Sequence, residues 1–128
     1  MNENYKINKN TIYIEDKKMN FNFDIAQVVK IESLYIVRLE IPQNLEKEET
    51  GYDQVYAIDV GGNIVWQIEN PIKAYNLNEN SQGYMYFAKS IYTYVKYEEK
   101  KLYAHTFASM CYIIDPETGK IVGEIEVR

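Results

Sequence analysis

Short runs in which Ile, Val and Tyr alternate with polar residues recur along the whole chain, each closed by a turn former, and this pattern most constrains the fold. Successive side chains of a strand point to opposite faces, so a two-residue period marks a half-buried strand, and β-branched and aromatic residues suit that pleated surface. Thirteen tyrosines among 128 residues reinforce the signal. The chain is therefore expected to be all-β and mainly antiparallel.

Ile12 and Ile14 alternate around Tyr13, Asp16-Lys17-Lys18 interrupts, and Phe21, Phe23 and Ile25 resume the period, which reads as a hairpin. Gln27 to Ile31 and Leu34 to Ile41 form a second pair about the tight connection Glu32-Ser33, and Pro42 ends it by removing a backbone donor. Pro42 to Gln54 follows neither period and is expected to be a long exposed loop. Val55 to Asp59 and Asn63 to Glu69 flank Gly61-Gly62 as another hairpin, and the Asn-rich stretch Pro71 to Gly83 reads as a second surface connection. Tyr84 to Phe87, Ile91 to Tyr97, Lys101 to Phe107, Met110 to Asp115 and Lys120 to Val127 then form a meander with turns at Glu98-Glu99-Lys100 and Pro116-Glu117-Thr118-Gly119. From Tyr84 to Tyr97 the apolar residues are dense enough to leave a helix open, though β-branched and aromatic content favours strand.

The expected architecture is one domain over residues 1–128. Two meander sheets, Phe21 to Glu69 and Ile91 to Val127, pack as a sandwich or partly open barrel, with the first strand covering an edge. A core of that size folds without a metal or disulfide.

The chain also repeats itself. Tyr56-Ala57-Ile58-Asp59 followed by Asn63-Ile64-Val65-Trp66-Gln67-Ile68-Glu69 matches Tyr112-Ile113-Ile114-Asp115 followed by Lys120-Ile121-Val122-Gly123-Glu124-Ile125-Glu126. In each copy an Asp enters the turn, where its carboxylate can accept backbone N–H bonds, and a Gly near the end tolerates positive φ. The pattern resembles the outer hairpin of quinoprotein-type β-propeller repeats, so the two sheets would resemble two propeller blades. A closed propeller needs at least about four blades, so the chain would not close alone.

Lys and Arg total 14 against 19 Asp and Glu, a net charge of -5, which argues against nucleic acid and for a cationic partner. Apolar runs such as Met110 to Ile114 fall far short of the roughly 20 residues that span a bilayer, so no membrane contact is expected. The start, Met1-Asn2-Glu3-Asn4-Tyr5, lacks the pattern of a secretory signal, and the single Cys111 in an apolar run reads as a buried thiol in a reducing compartment. A cytoplasmic location is expected.

Catalytic constellations are not apparent. His105 is the only histidine, too little for a zinc set, and nothing around Cys111 supplies an activated thiolate. Asp59 and Asp115 read as turn residues rather than an acid–base pair, and Trp66 as core. Gly61-Gly62-Asn63 lacks phosphate-loop spacing, and Lys17-Lys18 and Lys100-Lys101 sit beside acidic neighbours in turns. The reading is a non-enzyme with no metal and no cofactor.

What remains is the acidic stretch. Glu46, Glu48, Glu49 and Asp53 lie beside Gly51 and Tyr52, offering charge for steering and an aromatic anchor, and Tyr84 and Tyr86 complete the expected partner-binding set. A small acidic β-rich chain with short hairpins, carrying Gly-Asn-Ile-Val-Trp-Gln at 62 to 67 and Asp-Pro-Glu-Thr-Gly-Lys at 115 to 120, is similar to immunity proteins of contact-dependent growth inhibition and related polymorphic toxin systems. That resemblance implies binding and neutralisation of a cognate toxin domain, a basic nuclease by charge. The alternative is a propeller-type ligand-binding module or enzyme subunit that assembles into an oligomer, and the sequence leaves oligomeric state open.

Overall fold

A computed structural model describes residues 5–41, 54–69, 80, 92–106 and 110–126. Eleven strands are described: β1 (Tyr5–Asn8), β2 (Thr11–Ile14), β3 (Lys17–Asn20), β4 (Ile25–Ile31), β5 (Leu34–Leu39), β6 (Val55–Asp59), β7 (Ile64–Gln67), β8 (Tyr92–Glu98), β9 (Lys101–Thr106), β10 (Met110–Ile114) and β11 (Ile121–Glu126). They form a three-stranded sheet β1-β2-β3 and two four-stranded meanders, β4-β5-β6-β7 and β8-β9-β10-β11, every pairing antiparallel. The all-β expectation and the two stacked meanders hold; among the described residues no sheet closes into a barrel.

The expected opening of the chain is corrected. Lys17 and Lys18 do not interrupt a hairpin but form β3, and the turn falls at Glu15-Asp16, where Glu15 takes a positive φ of 55°. Phe21 and Phe23 lie outside any strand. The first segment thus builds its own sheet, which covers a face of the second sheet rather than an edge. Ile12, Ile14 and Phe21 pack there against Tyr35, Val37, Leu39 and Ile58. Tyr5 meets the edge of Tyr35 with ring centroids 5.6 Å apart, and Phe21 leans on Tyr56 at 5.2 Å.

The second sheet uses its other face as well. Ile31, Ile36, Val55, Ala57, Trp66 and Ile68 pack against Tyr92, Val95, Leu102, Ala104, Tyr112 and Ile114 of the third sheet. Strands β5 and β6 alternate between the two cores, Tyr35 and Val37 into one and Ile36 into the other, Ile58 into one and Ala57 into the other. The three sheets are consecutive layers, and the middle one is buried on both sides.

Polar bonds pin the second and third sheets together. The Gln27 side chain donates to Val95 O at 2.6 Å and accepts from Val95 N at 3.0 Å, while Arg38 Nε donates to Gln27 Oε1. Trp66 is buried, as expected, and its indole N–H donates to Pro116 O at 2.8 Å. At Gly119, with φ of 77°, an added Cβ would stand 2.5 Å from Trp66 Cε3, so this glycine serves both the turn and the indole lying on it.

The sequence repeat is a structural repeat. Both copies are the third and fourth strands of their meanders, and both turns are organised by their aspartate. Asp59 Oδ1 accepts from Gly61 N and Asn63 N at 3.0 and 2.9 Å, and Asp115 Oδ1 accepts from Glu117 N at 2.9 Å. Even the irregularity recurs: Ile58 pairs Ile64 while Ala57 pairs Trp66, and Ile114 pairs Ile121 while Ile113 pairs Gly123, so Val65 and Val122 are the extra residues of matching bulges.

Candidate functional site

Within each meander the connections are unequal at the two ends. One end of the second sheet carries the Glu32-Ser33 and Gly61-Gly62 turns, and one end of the third carries Glu99-Lys100 and Pro116 to Gly119. From the other end depart residues 42–53, 70–91 and 107–109. Antiparallel meanders impose this alternation, because successive connections must lie at opposite ends.

Gln54 and Tyr92 are the first described residues after the two longest of these connections. Gln54 Nε2 donates to Tyr92 O at 2.6 Å, so the strands that follow the two connections begin side by side. Gln54 is buried, and its Oε1 has no hydrogen-bond partner among the described residues. Leu39 N donates to Gln54 O at 2.9 Å, which closes the base of segment 42–53, and Tyr92 Oη donates to Glu69 O at 2.6 Å across the base of segment 70–91. The sequence-predicted site residues Glu46, Glu48, Glu49, Tyr52, Asp53, Tyr84 and Tyr86 themselves lie outside the described residues. What is described is that both segments carrying them are rooted at neighbouring positions of one end of the stack.

A second surface lies on the third sheet. There, the side turned away from the second sheet carries one cross-strand row of Tyr94, His105, Cys111 and Ile125 and another of Lys96, Tyr103, Ile113 and Gly123. A bulge between Tyr92 and Tyr94 creates this arrangement: Thr93 is the extra residue, so Tyr92 points into the core and Tyr94 points out. Tyr94 and Ile125 are 49% and 48% exposed. The Tyr94 ring lies 5.9 Å from His105, and Lys96 Nζ sits 5.6 Å from the Tyr103 centroid and 3.3 Å from Glu98. Partial burial, with the Lys96 charge adding to it, holds His105 below its ordinary value, and burial pushes the Cys111 thiol up. Cys111 is a buried free thiol, as its place in an apolar run suggested.

The first sheet's outward side is different in kind. Lys6, Tyr13 and Lys18 form one row and Asn8, Thr11 and Asn20 another, with Thr11 Oγ1 bonded to Asn20 Oδ1 at 2.7 Å. Among the described residues no group of three or more His, Cys, Asp or Glu side chains is placed to hold a metal ion. No helix there is long and apolar enough to cross a membrane.

A family model described as a domain of unknown function, DUF7957, matches residues 2–124, and the chain belongs to that family. No curated protein matches it. Among solved structures it is similar to one described as the crystal structure of the computationally designed Ika8 protein, with a TM-score of 0.56 and 8% identity over 97% of this chain. At that identity the likeness is one of fold. The match spans 36% of the designed chain, so that protein extends well beyond the part this chain resembles.

Proposed function

We infer that this chain is a binding protein of the immunity type, which neutralises a toxin domain by covering its active or substrate-binding surface. The observation that carries the reading is the Gln54 to Tyr92 contact, which roots segments 42–53 and 70–91 beside one another. The first contributes Glu46, Glu48, Glu49 and Asp53 with Tyr52, and the second contributes Tyr84 and Tyr86. Long connections grouped at one end of a rigid sheet scaffold are a common way to present a recognition surface.

The net charge of -5 supports a basic nuclease as the target. Carboxylates in one segment can occupy the positions that substrate phosphates take in a cationic cleft, and they accelerate encounter by long-range attraction. Blocking requires no chemistry from the inhibitor.

The test is co-expression with any toxin domain found in a neighbouring gene, together with association kinetics for the purified pair. The parent chain is expected to protect the cell. Replacing Glu46, Glu48, Glu49 and Asp53 together with Lys should slow association by at least about tenfold at low salt and flatten its salt dependence. Protection and association unchanged in that quadruple variant would remove the acidic segment from the site.

A further inference from the structure

We propose that the outward face of the third sheet is a self-association surface, on which a second copy of this chain packs its own third sheet to form a two-fold symmetric dimer.

The argument begins with the structural repeat. Aligning the hairpins on Asp59 and Asp115 places Tyr56 and Ile58 on Tyr112 and Ile114, and each of these pairs packs toward the preceding sheet. Ala57, Trp66 and Ile68, which pack toward the following sheet, align with Ile113, Gly123 and Ile125. The face in question is therefore the counterpart of one that, a layer earlier, is buried under a whole sheet. Ile68 is 2% exposed and its counterpart Ile125 is 48% exposed, with no fourth sheet above it among the described residues. Its composition fits an interface: Tyr94, Tyr103 and His105 beside Ile113 and Ile125, with Lys96 the one charged side chain in the two rows.

The occupant follows from the other end of the stack. A second copy stacking head to tail would have to lay its first sheet's outward side, with Lys6, Lys18, Asn8 and Asn20, on this apolar face. That would strip water from two ammonium groups where the carboxylate beside these rows, Glu98, is already paired with Lys96. It would also leave an open face for the next copy and grow without closing. Packing third sheet on third sheet instead matches like with like, closes after two copies, and leaves the polar first sheet as the outer cap at both ends, as stacked-layer proteins require.

The experiment is sedimentation velocity and light scattering on the purified chain across micromolar to hundred-micromolar concentrations, with Ile125→Glu and Tyr94→Glu as face variants and Tyr13→Glu as the cap control. Ile125, Tyr94 and Tyr13 are all substantially exposed, and far-UV circular dichroism with a thermal melt verifies each fold. The expected result is a species of twice 15.1 kDa for the parent and for Tyr13→Glu, with both face variants at 15.1 kDa and a dissociation constant raised at least tenfold. A parent that stays monomeric throughout overturns the proposal, as does a dimer that both face variants leave intact. Species that grow past the dimer and are disrupted by Tyr13→Glu would instead indicate head-to-tail stacking. Toxin neutralisation by a folded Ile125→Glu chain tells this surface apart from the acidic segment, because the two surfaces share no residue.

Discussion

The β6–β7 and β10–β11 hairpins share a sequence pattern, an aspartate-organised turn and a matching bulge, yet opposite fates befall the sides they turn toward the next layer. Trp66 and Ile68 are sealed under the third sheet; Gly123 is half-buried and Ile125 stands at the surface. The difference teaches that the local pattern fixes the hairpin, whereas burial is fixed by position in the stack. Where a following sheet exists, a large indole fills the space over its turn glycine; where none is described, the corresponding position is glycine.

The largest effect that separates the two hairpins is expected at Trp66. Trp66→Ala removes a buried indole, the bond to Pro116 O and the packing over Gly119, at a cost of about 3–5 kcal/mol in urea unfolding. A cost below about 1 kcal/mol would mean that the second and third sheets are not held at this corner. Next come the paired isoleucines: Ile68→Ala should lose about 2–4 kcal/mol, and Ile125→Ala less than about 1 kcal/mol in dilute protein. Equal losses would break the comparison. The turn glycines sharpen it further. Both take positive φ, but an added Cβ at Gly119 meets the Trp66 ring at 2.5 Å, while at Gly62 it meets Lys17 Cβ at 3.3 Å. Gly119→Ala should therefore cost about 2–4 kcal/mol and Gly62→Ala about 1–2 kcal/mol, both read from shifts in denaturation midpoint.

The smallest expected effect is pH dependence. His105 on the third sheet's outward face is held below its ordinary value of 6.5 by burial and by the Lys96 charge, so the folded state takes up its proton less readily than the unfolded chain. Its contribution is neutral above pH 6.5; stability declines as pH falls below 6.5 and levels off once the folded group has titrated. Asp59 acts lower on the scale: hydrogen bonds from Asn63 and Gly61 hold its carboxyl below 3.8, so its stabilisation is present above pH 3.8 and fades as the pH drops through its folded value. His105→Gln should flatten the first region and Asp59→Asn the second in melts run from pH 8 to pH 3. A His105→Gln chain with an undiminished slope below pH 6.5 would place that titration elsewhere.

Much of the fold was legible because its determinants are local. Asp59, Asp115, Gly62 and Gly119 act within a few residues, and the Ile, Val and Tyr alternation marks strands whatever lies above them. The first sheet was hidden because β3 is an edge strand with two exposed lysines, and because its turn uses Glu15 at positive φ where Gly or Asn would have announced it. The third sheet's outward face was hidden for a different reason. Tyr94 and His105 come together only through the cross-strand register and the Thr93 bulge, neither of which is written in any single run of residues. The acidic segment was visible from charge alone, whereas the neighbouring roots of the two long connections required the Gln54 to Tyr92 contact.

Because β5 and β6 line both cores, their backbones cannot be released without opening the two interfaces at once. Peeling away either outer layer still leaves these strands protected by the other. Their central amides, those of Ile36, Val37 and Ala57, should be the slowest to exchange with deuterium, and should do so only through opening of the whole molecule.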